Sequence, residues 1–160
     1  MLLLERFNLR NNDEWQLFYS LFDAYLKKVC DEKDYLENIN DLHDEKLNAE
    51  LIEQTLQKYN PYFIMKIMND GICVGLISYS CNDKAHSAFI NNFFIVDNYR
   101  NKGIGSRAYT LVEEHLLTLK TATIELIPVD NSERFYIRNG FELSHLSSEG
   151  EKIYRKRLVL

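Results

Sequence analysis

The stretch Asn91-Asn92-Phe93-Phe94-Ile95-Val96-Asp97-Asn98-Tyr99-Arg100-Asn101-Lys102-Gly103-Ile104-Gly105-Ser106-Arg107-Ala108 decides the fold. An apolar, β-type run from Phe93 to Val96 ends at polar Asp97-Asn98 and crosses a short basic loop with two glycines. It then enters a helical period at Ile104, Ala108, Leu111, Val112, His115, Leu116 and Leu119. The order is strand, loop, helix. Glycines 103 and 105 let the backbone approach a ligand closely, and successive N–H groups at a helix start, backed by Arg100, Lys102 and Arg107, suit an anion. A phosphate or pyrophosphate is the expected one.

Working upstream, the period changes to two from Pro61, with Phe63, Met65 and Ile67 alternating, before Asn69-Asp70-Gly71 turns the chain. Ile72 to about Cys81 is the partner strand, and Gly75 in it marks a bulge or a close backbone approach. Asn82-Asp83-Lys84 turns into a third antiparallel strand, Ser87 to Val96. Nearer the start, Leu2 to Phe7 reads as a strand, and Asn11 and Glu14 stand at capping-box spacing. The helix they open runs from about 12 to 29, with Trp15, Phe18, Phe22, Tyr25 or Leu26, and Val29 on one face. A second helix, about 45 to 58, is expected to bury Leu47, Leu51, Ile52, Leu56 and Tyr59; the acidic segment between them shows no regular pattern.

Working downstream, Thr123 to Ile127 is a strand that a helical crossover sets parallel to the one ending at Val96. Asp130-Asn131-Ser132 is expected to cap a short helix through Tyr136 and Ile137, stopped by Asn139-Gly140. Phe141 to Leu146 and Lys152 to Val159 read as a closing hairpin turned near Glu149-Gly150. The expected architecture is α/β: one domain over residues 1–160, a mixed, largely antiparallel sheet flanked by helices, with one parallel crossover.

Composition agrees with a single globular domain: 46% of residues are apolar and 27% charged, so disordered and coiled-coil classes drop out. Cysteines 30, 73 and 81 lack metal-ligand spacing and read as reduced, buried residues, and no metal site is expected. No signal-like or membrane-spanning apolar run stands out, which gives the expectation of a cytoplasmic protein with no membrane partner. Net charge is −5, yet Asp31 to Glu53 alone carries −7, leaving +2 elsewhere and a basic cluster at 100–107. That asymmetry argues against nucleic acid and for a small phosphorylated ligand.

Gly103-Ile-Gly105-Ser-Arg-Ala108 literally matches the dinucleotide fingerprint GxGxxA, with Glu125 about the right distance on to hold a ribose. A dinucleotide fold repeats βαβ units, however, whereas hairpins precede this loop and only one crossover follows it. A Walker loop would need Gly-Lys-Ser/Thr, and a plain tight turn is the remaining bland reading.

Arg100-Asn-Lys-Gly103-Ile-Gly105 more closely resembles the signature Arg/Gln-x-x-Gly-x-Gly/Ala of the GNAT superfamily of acyl-CoA-dependent N-acyltransferases. Phe135-Tyr136-Ile-Arg-Asn139-Gly140-Phe141 resembles that superfamily's helix-to-strand segment. The resemblance covers residues 62–145 most strongly, and the first 60 in topology only. It implies acetyl-CoA as co-substrate, with the pyrophosphate on the loop and the pantetheine added beside the strand end like a further strand. The residues it assigns to the coenzyme are Phe93, Phe94, Ile95, Val96, Arg100, Asn101, Lys102, Gly103, Ile104, Gly105, Ser106, Asn131 and Tyr136. It also implies two late strands splayed around the coenzyme.

Attack by an amine on a thioester needs a neutral nucleophile, an oxyanion donor and a proton for the departing thiolate. The resemblance gives that proton to Tyr136, whose bland alternative is a buried aromatic. Glu125, in Ile-Glu-Leu, is the candidate base, and its alternative is an ordinary polar strand residue. Where other members carry an acid in the central strand this chain has Phe89, Ile90, Asn91 and Asn92, so a water relay is an alternative base. The Asn often found seven residues before the tyrosine is Val129 here, with Asn131 five before. The expected reaction moves an acetyl group to a primary amine of a small cationic molecule, peptide or protein. A monomer or homodimer is expected, and the competing class is an acyl-CoA sensor without chemistry.

Overall fold

Seven strands form, five of them with β-branched or aromatic residues: β1 (Leu2–Arg6), β2 (Tyr62–Asn69), β3 (Ile72–Asn82), β4 (Ser87–Ile95), β5 (Thr123–Leu126), β6 (Glu142–Leu146) and β7 (Lys152–Arg157). In the computed structural model, which describes residues 1–129 and 131–159, they form one sheet in the order β1-β2-β3-β4-β5-β7-β6. Every neighbouring pair is antiparallel except β4 and β5, as the single helical crossover requires. The closing hairpin forms as expected, but β7 lies between β5 and β6. That order was not legible beforehand, because strand pairing across the sheet leaves no local signal.

Five helices cover the sheet: α1 (Asn12–Val29), α2 (Glu32–Leu42), α3 (Glu45–Leu56), α4 (Ile104–Thr118) and α5 (Glu133–Arg138). One face packs on α4, whose Ile104, Ala108, Tyr109, Val112 and Leu116 meet Ile67, Val74, Ile77, Tyr79, Ile90, Ile124 and Leu126. The other packs on α1, through Phe18 and Leu21 against Ile64 and Leu76, and through Tyr25 and Leu26 against Phe94. Fully burying such a side chain contributes about 1.5–3 kcal/mol each. These two helices therefore fix the layers. The Asn11 side chain caps α1 by accepting from the Glu14 N–H at 3.0 Å, while Glu14 turns back to Asn8 and to Lys66 at 2.7 Å.

Four expectations need correction. The acidic segment holds a helix, α2, capped by Asp31, which accepts from the Asp34 N–H at 2.8 Å. Only Tyr35, Ile39 and Leu42 turn inward, and none is fully buried, so acids hide a sparse helical period. In α3, Leu51 and Ile52 pack on the α1 cluster, but Leu47 and Leu56, and Tyr59 beyond its end, are exposed. Their apolar spacing matches one helical face, yet only the middle of that face reaches the sheet. Among the three free cysteines only Cys81 is buried. At α5, Ser132 occupies the cap position without a capping side-chain bond, its hydroxyl donating instead to the Val129 carbonyl at 2.6 Å. The Asp130 part of that cap lies outside the described residues.

Candidate active site

The site begins with a β-bulge. Ser78 pairs with Asn92 and Tyr79 with Ile90, which leaves Asn91 as the extra residue of β4. Pairing of β4 to β5 runs from Ser87↔Thr123 to Ile90↔Leu126 and stops at that bulge. Beyond it, residues 92–95 pair with β3 on one side and, among the described residues, with no strand on the other. There β4 parts from β5, which leaves an edge of backbone N–H and C=O groups without a partner strand among the described residues. Close approach on the paired side rests on Gly75, where a Cβ would lie 2.1 Å from the Phe94 carbonyl oxygen. The bulge expected near that glycine sits next to it, at Val74.

After β4, a 3₁₀ turn (Asp97–Tyr99) leads through Asn101, at φ 60°, to Gly103, at φ 76°, which starts α4. No side chain caps that helix, so its first N–H groups have no side-chain acceptor from the cap residue. A Cβ on Gly103 would meet nothing within 4 Å, so the space in front of the loop is open. Lys102 lies over the Tyr99 ring at 5.6 Å, and Arg107 is exposed one turn along. Arg100 turns back: its Nε donates to the Ile95 carbonyl at 2.7 Å and its guanidinium stacks on Phe94. Its charge is shared with Asp97, which also holds Lys28 of α1 at 2.6 Å.

Gly105 faces inward. A Cβ there would stand 3.2 Å from the Phe135 ring, so the missing side chain admits α5 against the start of α4. Phe135 in turn stacks edge-on with Phe93 of β4 and with Tyr136, at centroid distances of 5.6 and 5.1 Å. The two motifs of the sequence meet through one ring. Ser106 joins them as well, accepting from Asn139 at 3.4 Å. Asn131 sits at φ 65° just before α5.

Tyr136 is 8% exposed and packs on Phe135 and Phe141. Burial raises its hydroxyl well above the ordinary tyrosine range, and Tyr25 of α1 is near enough to add to that rise. Burial likewise pushes Tyr25 up to about 12, with Cys30 and Tyr62 contributing. At neutral pH both hydroxyls keep their protons and are donors. Neither has a hydrogen-bond partner among the described residues.

On the α1 face of the sheet a polar strip runs across five strands. Asn92 Nδ2 donates to Ser78 Oγ at 2.9 Å, with the Tyr62 hydroxyl beside both. Asn91 Nδ2 donates to Ser80 Oγ and to the Phe89 carbonyl, each at 3.3 Å. On the same face Glu125 Oε2 accepts from Arg155 Nη2 at 2.8 Å and Nε at 3.1 Å. The candidate base is therefore half of an ion pair. Sequence reading placed Tyr25 only on the apolar face of the first helix and did not single out Tyr62, Ser78, Ser80 or Arg155; two consecutive polar residues inside an apolar strand were the available signal for the bulge. His115 lies on the opposite face, bonded to Tyr79 and edge-on to Phe63, as a packing residue.

A family model described as acetyltransferase (GNAT) family matches residues 15–141. The chain belongs to the GNAT acetyltransferase family. No curated protein sequence matches the chain. Solved structures of this fold do: the PaiA N-acetyltransferase of Thermoplasma acidophilum in complex with coenzyme A is 13% identical, with a TM-score of 0.77 over 99% of both chains. Tetrahymena GCN5 is 11% identical, with a TM-score of 0.70 over 99% of this chain and 96% of its own. An aminoglycoside 6'-N-acetyltransferase complexed with coenzyme A is 10% identical, with a TM-score of 0.69 over 99% and 98%. At such identities the shared property is the GNAT fold, including its mixed sheet with one parallel pair. Among the described residues no helix is long and apolar enough to cross a membrane, and no cluster of His, Cys, Asp or Glu is arranged to hold a metal.

Proposed function

We propose that this chain transfers an acetyl group from acetyl-CoA to a primary amine by direct attack. The observation that carries the reading is Tyr136, a residue only 8% exposed whose protonated hydroxyl has no protein partner among the described residues, on the short helix packed against the glycine loop. The thioester supplies the activated acyl group. Backbone N–H groups of Gly103 to Ser106, with Lys102 and Arg107, hold the pyrophosphate, and the free edge at Phe93, Phe94, Ile95 and Val96 accepts the pantetheine amides. Arg100, bound to the Ile95 carbonyl, and Asn101 fix the loop's shape. Asn131 borders the coenzyme ahead of α5.

In this reading Tyr136 donates to the departing sulfur, where negative charge develops. Glu125, the candidate base, is held by Arg155 on the α1 face of the sheet, which leaves the amine's proton to a water relay or to the Tyr136 oxygen once it has given up its own. The exposed acids of α2 and α3 raise the local concentration of cationic acceptors.

Asn91 and Asn92, standing where a carboxylate would serve as base, favour the second reading, an acyl-CoA sensor without turnover. Acetyl-CoA consumption against a broad amine panel, run beside calorimetric binding, separates the two. Turnover with any amine supports the transferase; tight binding with no turnover supports the sensor. Absence of binding removes both.

A further inference from the structure

We infer that the acceptor's nucleophile is an amine of low basicity, the α-amino group of a peptide rather than a lysine ε-amine. The inference rests on the transferase reading above and adds the class of substrate. Along a regular strand two consecutive side chains point to opposite faces. The bulge instead turns Asn91 and Asn92 to the same face, where their amide N–H groups are committed to Ser80, Phe89 and Ser78. Among the described residues neither Oδ1 accepts a hydrogen bond. Two neutral acceptors thus stand side by side next to the free edge of β4.

A neutral amine has two N–H donors and one lone pair. Binding both N–H groups to the two Oδ1 atoms leaves the lone pair free to attack. An ammonium would also have to lose a proton, and the carboxylates around the site are engaged. Glu125 is paired with Arg155, Asp97 with Lys28 and Arg100, and Asp23 with Lys27 and Tyr35, while Glu133 accepts from the Tyr154 hydroxyl at 2.9 Å. Glu37 and Asp41 are exposed, on the side of α2 away from Tyr35 and Ile39. Amines that arrive neutral are thereby selected.

The atoms balance without an enzyme carboxylate. The amine nitrogen forms the new bond to the acetyl carbon, the carbon–sulfur bond breaks, and Tyr136 gives its proton to the thiolate. Tyr136 then regains a proton from the nitrogen, and the products are the amide and free coenzyme A. At pH 7 roughly 10% of an α-amine is neutral, against roughly 0.04% of a lysine amine.

The test compares two degenerate peptide pools at pH 7, one with free N-termini and no lysine, one N-terminally blocked with a single lysine. Coenzyme A release is the readout, and mass spectrometry locates the acetyl group. The expected kcat/KM for the α-amine pool is at least thirtyfold higher, and Asn91→Asp or Asn92→Asp narrows that ratio at least threefold by adding a carboxylate. Equal use of the lysine pool, or a ratio that neither variant moves, overturns this inference while leaving the transferase reading intact. Acetyl-CoA binding without turnover of either pool or of any small amine ends the transferase reading, and this inference with it.

Discussion

The Tyr79 hydroxyl and His115 Nδ1 lie 2.7 Å apart beneath α4, with Phe63 edge-on to the imidazole. Burial, and then the charge of Arg6, lowers the His115 pKa below the ordinary histidine value. The folded state therefore binds this proton more weakly than the unfolded state does. Its contribution to stability is present above the unfolded value of about 6.5 and is lost as pH falls through that value toward the lower folded one. Midpoints of urea unfolding between pH 8 and 5 should fall for the wild type and fall less for His115→Gln. Parallel curves would show that His115 does not carry the dependence.

Gly75 lets two strands touch. With 2.1 Å between a new Cβ and the Phe94 oxygen, Gly75→Ala must push β4 away from β3. Overpacking of this kind costs about 1–3 kcal/mol. Because β4 carries the free edge, acetyl-CoA affinity should weaken along with stability, and calorimetry paired with thermal melting reads both. A variant as stable as wild type would mean that the backbone absorbs the methyl.

Tyr136→Phe should lower kcat on the order of a hundredfold, the scale of one well-placed proton donor. The coenzyme dissociation constant should hardly change, because the hydroxyl is needed as the thiolate leaves. The melting temperature should hold as well, since the hydroxyl has no protein partner among the described residues. Unchanged turnover would reduce Tyr136 to a packing residue.

Gly103→Glu places a carboxylate in the open space before α4 and a side chain at φ 76°. Repulsion of the pyrophosphate should weaken acetyl-CoA binding more than tenfold, whereas the left-handed backbone costs only about 1–2 kcal/mol of stability. Gly105→Ala acts differently, by pressing on Phe135 and displacing Tyr136. Its loss should appear in kcat more than in affinity. Identical effects of the two substitutions would refute the division of labour between the glycines.

Acids on α2 and α3 should matter for encounter alone. Raising ionic strength toward physiological values, where the Debye length is about 8 Å, should lower kcat/KM for a cationic acceptor. Charge reversal at Asp41 and Glu45 should do the same while kcat holds; Asp44 is kept because it caps α3, accepting from the Lys46 and Leu47 N–H groups. A salt-independent kcat/KM would leave these acids as a solvated helix surface.

By itself the sequence determined most of the elements and the glycine loop before α4. Alternating apolar residues marked β2, β3 and β4, and Asn69-Asp70-Gly71 placed the hairpin, whose Asp70 and Gly71 take φ of 50° and 83°. Two glycines after an apolar strand marked the start of α4. These features are local, because backbone conformation answers to neighbours a few residues away. What the tertiary structure alone decided is long-range. A one-residue bulge turned Asn91 and Asn92 to one face, and Arg155 reached Glu125 only because β7 came to lie beside β5. Tyr25 joined Tyr136 because α1 packs across Phe94. Helix α2 stayed hidden, since its three inward residues are stabilised by the packing of a neighbouring helix rather than by a strong pattern of their own.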